Sequence, residues 1–343
     1  MRFVYFIYFI LKSDYKGVKH ALSCLKSRYN VVYLIFDALW SAFYYGTSLD
    51  DYFSFRFYEK NLKDRNEFAS TAYMYKFHKS LNDSAYIARV DNKAEFRKNF
   101  KHLSGPSQVF KVQSSEEIQD LVNWIRTNNY HQVVVKDPVG TTGTSIYFAD
   151  FNNETGLFKI KDQWLHPKEF CDKIAINGNI YIEPRLLQHP LIQRLAPSAL
   201  NTIRIITVLT PDKQVDIISA AFRISISGDT DNFSTGNLAA AIDISTGKVN
   251  TPGIKRMAAC SSIYEKHPVT GIRIIDFQIP MWEKVVEIVK EAAVIIPEVR
   301  TVGWDVAILA DKVIIIEGNP KWNKGAPQIP LNKGIKPILE KYL

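Results

Sequence analysis

Three residues near the C-terminal end of the chain have the types and the spacing to hold a hard metal ion: Asp305, Glu317 and Asn319. They lie in two apolar runs, 303–309 and 313–319, and the short turn between the runs predicts a β-hairpin. Side chains two positions apart on a strand share a face, so Glu317 and Asn319 point the same way, and Asp305 can face them from the partner strand. Two carboxylates and an amide oxygen form a ligand set that suits Mg²⁺. The alternative is a hairpin with polar residues on its solvent face, which the apolar flanks disfavour.

A second candidate site lies upstream, where a β-branched strand ends in Lys136 and a loop rich in glycine and threonine follows. The loop residues of interest are Gly140, Thr141, Thr142 and Gly143. Glycines let the backbone approach a polyanion and turn its N–H groups toward phosphate oxygens, and the lysine adds a positive charge. The lysine precedes the glycines and a strand follows them, so this is not a Walker P-loop. The alternative is an ordinary hairpin loop.

The order of these features resembles the ATP-grasp superfamily, and in particular its sugar-transfer-associated family. The matching segments are 201–207 (Asn-Thr-Ile-Arg-Ile-Ile-Thr), 267–271, 279–282, 302–305 and 316–319 (Ile-Glu-Gly-Asn). The resemblance covers roughly residues 84–325. It implies an α+β fold in which two α+β domains clamp a nucleotide, with a helical N-terminal extension. The corresponding division is 1–83 for the aromatic-rich helical region, 84–185 for the N-terminal and lid subdomains, and 186–343 for the metal- and substrate-binding domain.

The resemblance also implies roles for individual residues. Asp305, Glu317 and Asn319 would hold two Mg²⁺ ions, while Lys136 and the loop 140–143 would contact the phosphates of ATP. Glu183, in the hinge segment 179–186, would contact the ribose or adenine; the alternative is a surface glutamate before a proline turn. The remaining nucleotide contacts are Asn232, in a loop that is otherwise a plain hairpin loop, and a cation from the segment that contains Lys93 and Arg97.

Two arginines lie within apolar strands, where an unpaired charge would be costly: Arg204 in 203–206 and Arg223 in 221–224. Each either pairs with a buried carboxylate or faces a substrate cleft. The resemblance favours the cleft, because the planar fork of arginine suits an acyl phosphate or an acceptor carboxylate. These two residues are the predicted catalytic groups. His267, which precedes a proline, either contacts the acceptor or is an exposed loop histidine.

The activity that the resemblance implies is an ATP- and Mg²⁺-dependent ligase that joins a carboxylate to an amine through an acyl phosphate. The family context indicates a sugar acid as the carboxylate and an amino acid or amine as its partner, in the biosynthesis of a surface polysaccharide such as a capsule. Two other functions stay open on the same scaffold: a small-molecule kinase and a non-catalytic ATP-binding scaffold at a membrane.

Composition sets wide limits on function. The 343 residues suffice for two or three domains, and a net charge of +8 suits acidic substrates or an anionic membrane face. The Lys and Arg residues are dispersed and accompany no nucleic-acid-binding motif, so nucleic acid is not an expected partner. Cys24, Cys171 and Cys260 show neither metal spacing nor a disulfide framework. They therefore predict packing residues, a reducing compartment and a cytoplasmic protein.

The N-terminal residues 1–11 are strongly apolar but too few to span a bilayer, and no clean signal-peptide cleavage site follows them. They form either a helix packed on the protein or an interfacial anchor, which Lys12, Lys16, Lys19 and His20 would favour. Peripheral contact with the inner face of a membrane through residues 1–20 is therefore one expectation. Residues 31–45, interrupted by Asp37, predict a buried helix.

The remaining patterns predict the elements that must position these residues. Ser114 and Glu117 have the spacing of a capping box and predict a helix that continues through Ile125. Residues 167–174 predict another helix. An antiparallel sheet, crossed by a helix over 281–294, is predicted from the strand-like runs 202–209, 214–224, 239–244, 304–309 and 313–317.

Overall fold

The computed structural model describes residues 6, 7, 10, 11, 13–106, 108–136, 146–175, 177–260 and 262–343. Contacts divide the chain into two compact units. The larger unit contains Met1–Asp91 and Gln188–Leu343, and the smaller unit contains Asn92–Leu187. The N-terminal helical region therefore shares a unit with the C-terminal residues, while the functional division at residues 84 and 186 stays a prediction.

The α-helices within these described ranges are α1 (Tyr15–Leu25), α2 (Val31–Tyr45), α3 (Leu49–Ser54), α4 (Leu62–Asn66), α5 (Thr71–Leu81), α6 (Ala88–Asp91), α7 (Lys93–Asn99), α8 (Ser115–Thr127), α9 (Pro167–Ile174), α10 (Pro190–Leu195), α11 (Trp282–Ala293), α12 (Gly325–Gln328) and α13 (Lys336–Leu339). Short 3₁₀ helices cover Phe57–Glu59, Phe233–Thr235, Ala258–Cys260 and Glu340–Tyr342. The predicted helical character of the N-terminal region is confirmed.

The strands are β1 (Gln108–Lys111), β2 (Gln132–Lys136), β3 (Ile146–Phe151), β4 (Phe158–Ile160), β5 (Gln163–Leu165), β6 (Asn179–Pro184), β7 (Thr202–Leu209), β8 (Val215–Ile224), β9 (Leu238–Ala241), β10 (Ile254–Lys255), β11 (Thr301–Ile308) and β12 (Val313–Asn319). They form two sheets, in the orders β1-β6-β2-β3-β4-β5 and β10-β9-β8-β7-β11-β12. Neighbouring strands pair antiparallel in both sheets. The predicted mixture of helices and antiparallel sheets is confirmed.

In the smaller unit, helices α8 and α9 pack on the first sheet around one apolar core. The predicted capping box at Ser114 and Glu117 is present and fixes the start of α8. Helix α9 begins with Pro167, whose missing N–H is not needed in the first turn. The rings of Phe158 and Phe170 stack with centroids 3.9 Å apart, which joins α9 to β4.

In the larger unit, the second sheet carries the residues that the sequence singled out for chemistry. The predicted hairpin is confirmed: β11 and β12 pair antiparallel, and every residue of β11 is buried. Strand β12 lies at one edge of the sheet. Helix α11, close to the predicted 281–294, packs across β7, β11 and β12.

The N-terminal helices are tied to the rest of the larger unit by buried polar contacts. Asp51 in α3 pairs with Lys324 at 2.9 Å and accepts a hydrogen bond from Thr71 at 2.8 Å. Asn82 accepts from the Thr301 backbone N–H at 2.9 Å and donates to its carbonyl oxygen at 2.9 Å. Residue 301 begins β11, so the N-terminal region fixes the strand that carries Asp305.

The cysteine prediction was wrong for two of the three residues. Cys24 in α1 and Cys260 form a disulfide across 236 positions of the chain, with Cα atoms 5.6 Å apart. The third, Cys171, is a buried packing residue, as predicted. Wide separation in sequence hid the pair because α1 packs directly on the 3₁₀ helix that contains Cys260. The pairing removes the basis on which the sequence predicted a reducing compartment.

The prediction of a buried helix over residues 31–45 was only partly right. Helix α2 has those bounds, with Asn30 capping its first turn and Gly46 in the left-handed conformation (φ 68°) after its last. However, its buried residues are only Leu34, Ala38, Ser41 and Ala42. The opposite face is exposed. A helix that is apolar on all sides does not reveal in its sequence how many of those sides the protein covers.

No helix within the described ranges combines the length and the apolar character needed to pass through a bilayer.

Candidate functional site

The candidate site is a cluster of charged side chains on one face of the second sheet. Asp305 in β11 lies directly opposite Glu317 in β12 and directly opposite Arg204 in β7. Residues opposite each other in neighbouring strands share a face, so all three side chains project to the same side. Arg223 joins them, because it lies two residues beyond Ala221, the partner of Arg204 in β8. The sheet register alone therefore brings the predicted catalytic arginines to the predicted metal ligands.

The cluster is held by short ion pairs. Arg204 donates two hydrogen bonds to Asp305, one through Nε to Oδ1 and one through Nη2 to Oδ2, the latter at 2.8 Å. Arg223 donates through Nη1 to Oδ2 of Asp305 at 2.7 Å and through Nη2 to Oδ1 of Asp231 at 2.7 Å. These side chains are 12% exposed or less, so solvent screens the pairs weakly. Of the two alternatives for Arg204, the structure shows the pairing with a buried carboxylate. The pair lies on the face that carries the other site residues.

Electrostatics separates the roles of the carboxylates. Burial alone would raise the pKa of Asp305, but the charges of Arg204 and Arg223 hold that pKa well below its usual range. Burial raises the pKa of Glu317, and both the charge of Asp305 and the hydrogen bond between the two carboxyl groups raise it further. The Glu317 side chain is nevertheless exposed on the edge strand. Asp305 is therefore held as an anion, and its neighbour Glu317 is the carboxyl that is open to a ligand.

The donor set fits a divalent cation. Asn319 donates to Oε1 of Glu317 at 3.2 Å and to the carbonyl oxygen of Gly303 at 3.3 Å, which leaves its amide oxygen for another partner. Two neighbouring carboxyl groups and an amide oxygen can together hold a cation, and oxygen-only ligands suit Mg²⁺. Asp305, Glu317 and Asn319 are thus brought together, although the arginines already use both oxygens of Asp305.

Asp231 is a member of the cluster that was not predicted from the sequence. This buried residue lies in the loop between β8 and β9 and accepts from Thr202, through the backbone N–H at 2.7 Å and the hydroxyl at 2.5 Å. Burial raises its pKa despite the nearby charge of Arg223. A sequence signal existed: two arginines within apolar strands need more than one carboxylate, and Asp231 is one of two acids in the loop after Arg223.

Two of the predicted nucleotide-side residues of the smaller unit, Arg97 and Glu183, are in contact. Arg97 donates to Glu183, to the Tyr181 hydroxyl at 2.8 Å and to the carbonyl oxygen of Gly105 at 2.7 Å. Glu183 is 4% exposed, so it is not a surface glutamate. Lys93 is half-buried at the start of α7. The structure thus joins Arg97 to Glu183, and their nucleotide contacts stay a prediction.

Two further loop residues have structural partners. The side chain of Asn232 accepts from the backbone N–H of Ser234 at 3.1 Å and caps the 3₁₀ helix Phe233–Thr235. His267 is 2% exposed, which contradicts the alternative of an exposed loop histidine. Its Nε2 lies 2.9 Å from the carbonyl oxygen of Ser225, and Nδ1 accepts from the N–H of Thr270 at 3.2 Å. Both ring nitrogens of His267 are therefore used inside the fold.

The predicted phosphate loop is not part of the described structure. The backbone of Lys136 ends β2, where it pairs with Tyr181 of β6. The side chain of Lys136 and the residues Gly140, Thr141, Thr142 and Gly143 lie outside the described residues. Their contact with phosphate stays a prediction.

Comparisons with known proteins place the chain. A model of the sugar-transfer associated ATP-grasp family matches residues 73–342. No curated protein matches. Similar solved structures include an ADP complex of N5-carboxyaminoimidazole ribonucleotide synthetase, with 11% identity over 69% of this chain and 46% of that chain and a TM-score of 0.41. D-alanyl-alanine synthetase A from Vibrio cholerae has 10% identity, 74% and 60% coverage and a TM-score of 0.41. A β-γ-ATP complex of biotin carboxylase from Campylobacter jejuni has 9% identity, 74% and 46% coverage and a TM-score of 0.43.

The chain spans about half to three fifths of the length of these solved proteins, and likeness at this level says nothing of residue roles. The family match is different in kind, because it covers well over half of the chain and contains all the residues of the charged cluster: Arg204, Arg223, Asp231, Asp305 and Glu317. The chain belongs to the sugar-transfer associated ATP-grasp family and has the ATP-grasp fold.

Proposed function

We propose that this protein is an ATP- and Mg²⁺-dependent ligase that joins a carboxylate to an amine through an acyl phosphate. The observation that carries the proposal is the sheet-face cluster, defined as Arg204, Arg223, Asp231, Asp305 and Glu317. In the proposed reaction a carboxylate oxygen attacks the γ-phosphorus of ATP, and ADP leaves. The amine then attacks the acyl carbon, phosphate leaves, and the amine loses a proton.

Such a reaction brings a carboxylate anion to a triphosphate, so positive charge must be fixed in advance. The carboxylates around Arg204 and Arg223 hold both guanidinium groups in set orientations. Arg204 uses Nε and Nη2 on Asp305, and among the described contacts its Nη1 has no acceptor. We assign Nη1 of Arg204 to the transferring phosphoryl group or the acceptor carboxylate. Arg223, which bridges Asp305 and Asp231, adds charge beside it.

Glu317, Asn319 and Asp305 are the residues that would hold Mg²⁺, as one ion or as the two that the family resemblance implies. Bound there, the ion would neutralise charge on the phosphates of the nucleotide. Glu317 is the principal ligand in this proposal, because its side chain is exposed and no arginine among the described residues forms an ion pair with it. Asp305 has the second role of holding both arginines.

For the substrates we propose a sugar acid as carboxylate and an amino acid or other amine as acceptor, within the biosynthesis of a surface polysaccharide. The family description associates these proteins with sugar transfer, and the net charge of +8 favours acidic substrates.

The test is an oxygen-tracing experiment. The protein is incubated with ATP, Mg²⁺, sugar acids labelled with ¹⁸O in the carboxyl group, and a panel of amines. The expected result is ADP together with inorganic phosphate that carries one ¹⁸O atom, formed only when both substrates are present. Release of AMP and pyrophosphate would refute the mechanism.

Variants connect the activity to the site. Replacing Arg204 by Met should lower kcat/KM by about 10²-fold or more, as does loss of one fixed donor at a developing charge. Arg273→Met is the matched control, because that arginine is 63% exposed and pairs only with exposed Asp276 among the described residues. A phosphorylated product that keeps the label would indicate a kinase instead. ATP binding without turnover on any pair would indicate a scaffold.

A further inference from the structure

Helix α2 presents an unusual surface. Six large apolar side chains recur along it at the spacing of one helical face, and each is between 43% and 68% exposed: Val32, Tyr33, Phe36, Trp40, Phe43 and Tyr44. We refer to these six residues as the α2 aromatic face. Rings within it are ordered against one another, since Trp40 stacks on Tyr44 with centroids 4.9 Å apart.

The opposite side of α2 is already used by the fold. Leu34 and Ala38 pack into the core of the N-terminal helices. The one charged residue of the helix, Asp37, is held by Arg65 through two 2.7 Å hydrogen bonds and accepts from the Tyr52 hydroxyl at 2.7 Å. A surface helix normally turns charged residues outward. Here the charge is inward-facing and paired, and the outward face is apolar.

The apolar surface continues beyond the helix. The ring of Phe6 meets that of Phe43 edge-on, with centroids 5.8 Å apart. Ile7 is 42% exposed and Leu11 is 72% exposed in the same N-terminal stretch. Contiguous exposed apolar surface of this kind marks an interaction site rather than ordinary solvent-facing surface.

Positive charge borders the α2 aromatic face at its C-terminal end. A cavity of about 390 Å³ lies there, and its lining includes Phe43, Tyr44, Lys76 and Lys336. The Lys336 ammonium lies 5.8 Å from the centre of the Tyr73 ring, which also lines the cavity. Helix α1, which packs on α2, adds further exposed cations: Lys16, Lys19 and, just past its end, Lys26 and Arg28.

We propose that the α2 aromatic face binds the surface of an anionic lipid bilayer, with the lysines at its end contacting lipid phosphates. Tyr and Trp side chains favour the boundary between headgroups and acyl chains, and flanking cations attract anionic lipids. A second copy of the chain is the less favoured occupant, because the one acidic residue of α2, Asp37, is paired with Arg65, so α2 offers no free carboxylate to the lysines of a partner copy. The α2 aromatic face itself lies outside residues 1–20, although Phe6 contacts it, and membrane contact through residues 1–20 stays a prediction. The proposal does not depend on the proposed ligase activity.

The first test is co-sedimentation of the full chain with vesicles of phosphatidylglycerol and phosphatidylethanolamine. We expect binding that weakens with salt and with replacement of the anionic lipid by phosphatidylcholine. Phe36→Gln with Trp40→Gln should lower the partition coefficient at least about tenfold, since each removes a large apolar side chain. Leu187→Gln with Trp164→Gln is the matched control, with side chains 75% and 47% exposed in the smaller unit. Lys76→Gln should lower binding to anionic vesicles about fivefold and leave binding to neutral vesicles unchanged.

The second test needs no loss of binding. Vesicles with brominated acyl chains quench tryptophan at short range, so they should quench the wild-type protein and the Trp164→Phe variant alike. Quenching should be mostly lost in Trp40→Phe. Equal quenching of the wild type and Trp40→Phe, or no binding to anionic vesicles at all, would overturn the proposal. A concentration-dependent dimer in sedimentation velocity that Phe36→Gln dissolves would overturn it in favour of a second copy.

Discussion

Replacing Asp231 by Asn should destabilise the larger unit by about 3 kcal/mol. The buried carboxylate accepts from the backbone N–H and hydroxyl of Thr202 and from Arg223 at 2.7 Å. Removing one partner of a buried ion pair typically costs about 3–5 kcal/mol, because the remaining charge is left uncompensated. Arg223 keeps Asp305 as a second partner, which places the expected cost at the lower end of that range.

A double-mutant cycle separates the ion pair from other effects of the substitution. Arg223→Met removes the other side of the same contact, so the double variant should cost less than the sum of the two single variants. The expected coupling is about 1–3 kcal/mol. Arg273 and Asp276 supply the matched control, because their pair at 3.0 Å is more than 60% exposed on both sides. Its coupling should stay below about 1 kcal/mol.

The assay is urea unfolding followed by tryptophan fluorescence in a Trp124→Phe/Trp164→Phe background. The four tryptophans that remain, at positions 40, 282, 304 and 322, all belong to the larger unit. The midpoint should fall at an unchanged slope, since the variants change stability without changing the surface exposed on unfolding. If coupling in the buried pair does not exceed that of the exposed pair, the reasoning about charge burial on this sheet face is wrong.

Three further predictions concern stability and chemistry away from the cluster. Burial lowers the pKa of His78 from 6.5 to about 4, so between those pH values the unfolded chain binds more protons than the folded one. The free energy of unfolding should therefore fall by up to about 3 kcal/mol as the pH is lowered from 6.5 to 4. Acid titration of the unfolding midpoint should show this dependence, and the His78→Phe variant should lack it. Peptide mapping without reductant should recover Cys24 linked to Cys260. Burial raises the pKa of the Cys171 thiol to about 12, so Cys171 should react with iodoacetamide only after unfolding. Gly334→Ala should lower the melting temperature sharply, because a Cβ there would lie 2.1 Å from the main-chain carbonyl group of residue 67. An unchanged melting temperature would contradict this explanation.

The strands that carry the site could be predicted because local pattern and tertiary role agree there. The run Thr202–Leu209 is β-branched and aliphatic, and the observed strand has the same bounds. The apolar flanks of Asp305 likewise indicated a covered hairpin, and β11 is buried throughout. Because side chains alternate on a strand, the shared face of Glu317 and Asn319 followed from spacing alone, and the register placed Asp305 beside them.

Other features depend on contacts that no local pattern encodes. Asp231 enters the cluster from a loop, where neither periodicity nor spacing specifies a partner. The pairing of Cys24 with Cys260 depends on how α1 docks, 236 positions away in sequence. The exposure of α2 was not predicted, because a helix that is apolar on every side has the same sequence pattern whether protein or lipid covers it. In each case the missing information was tertiary.

The charge balance of the sheet-face cluster connects its stability to its proposed chemistry. When ionised, Asp231, Asp305 and Glu317 carry three negative charges against the two positive charges of Arg204 and Arg223. Asp305 is neutralised from two sides, so the excess negative charge falls on the exposed Glu317. A divalent cation at Glu317 would reverse the sign of the whole cluster and let it hold a polyanionic nucleotide tail. The cation would offset the negative charge of the cluster that repels the nucleotide, and the nucleotide would add negative charge that attracts the cation. By linkage, each would then strengthen the binding of the other by the same factor.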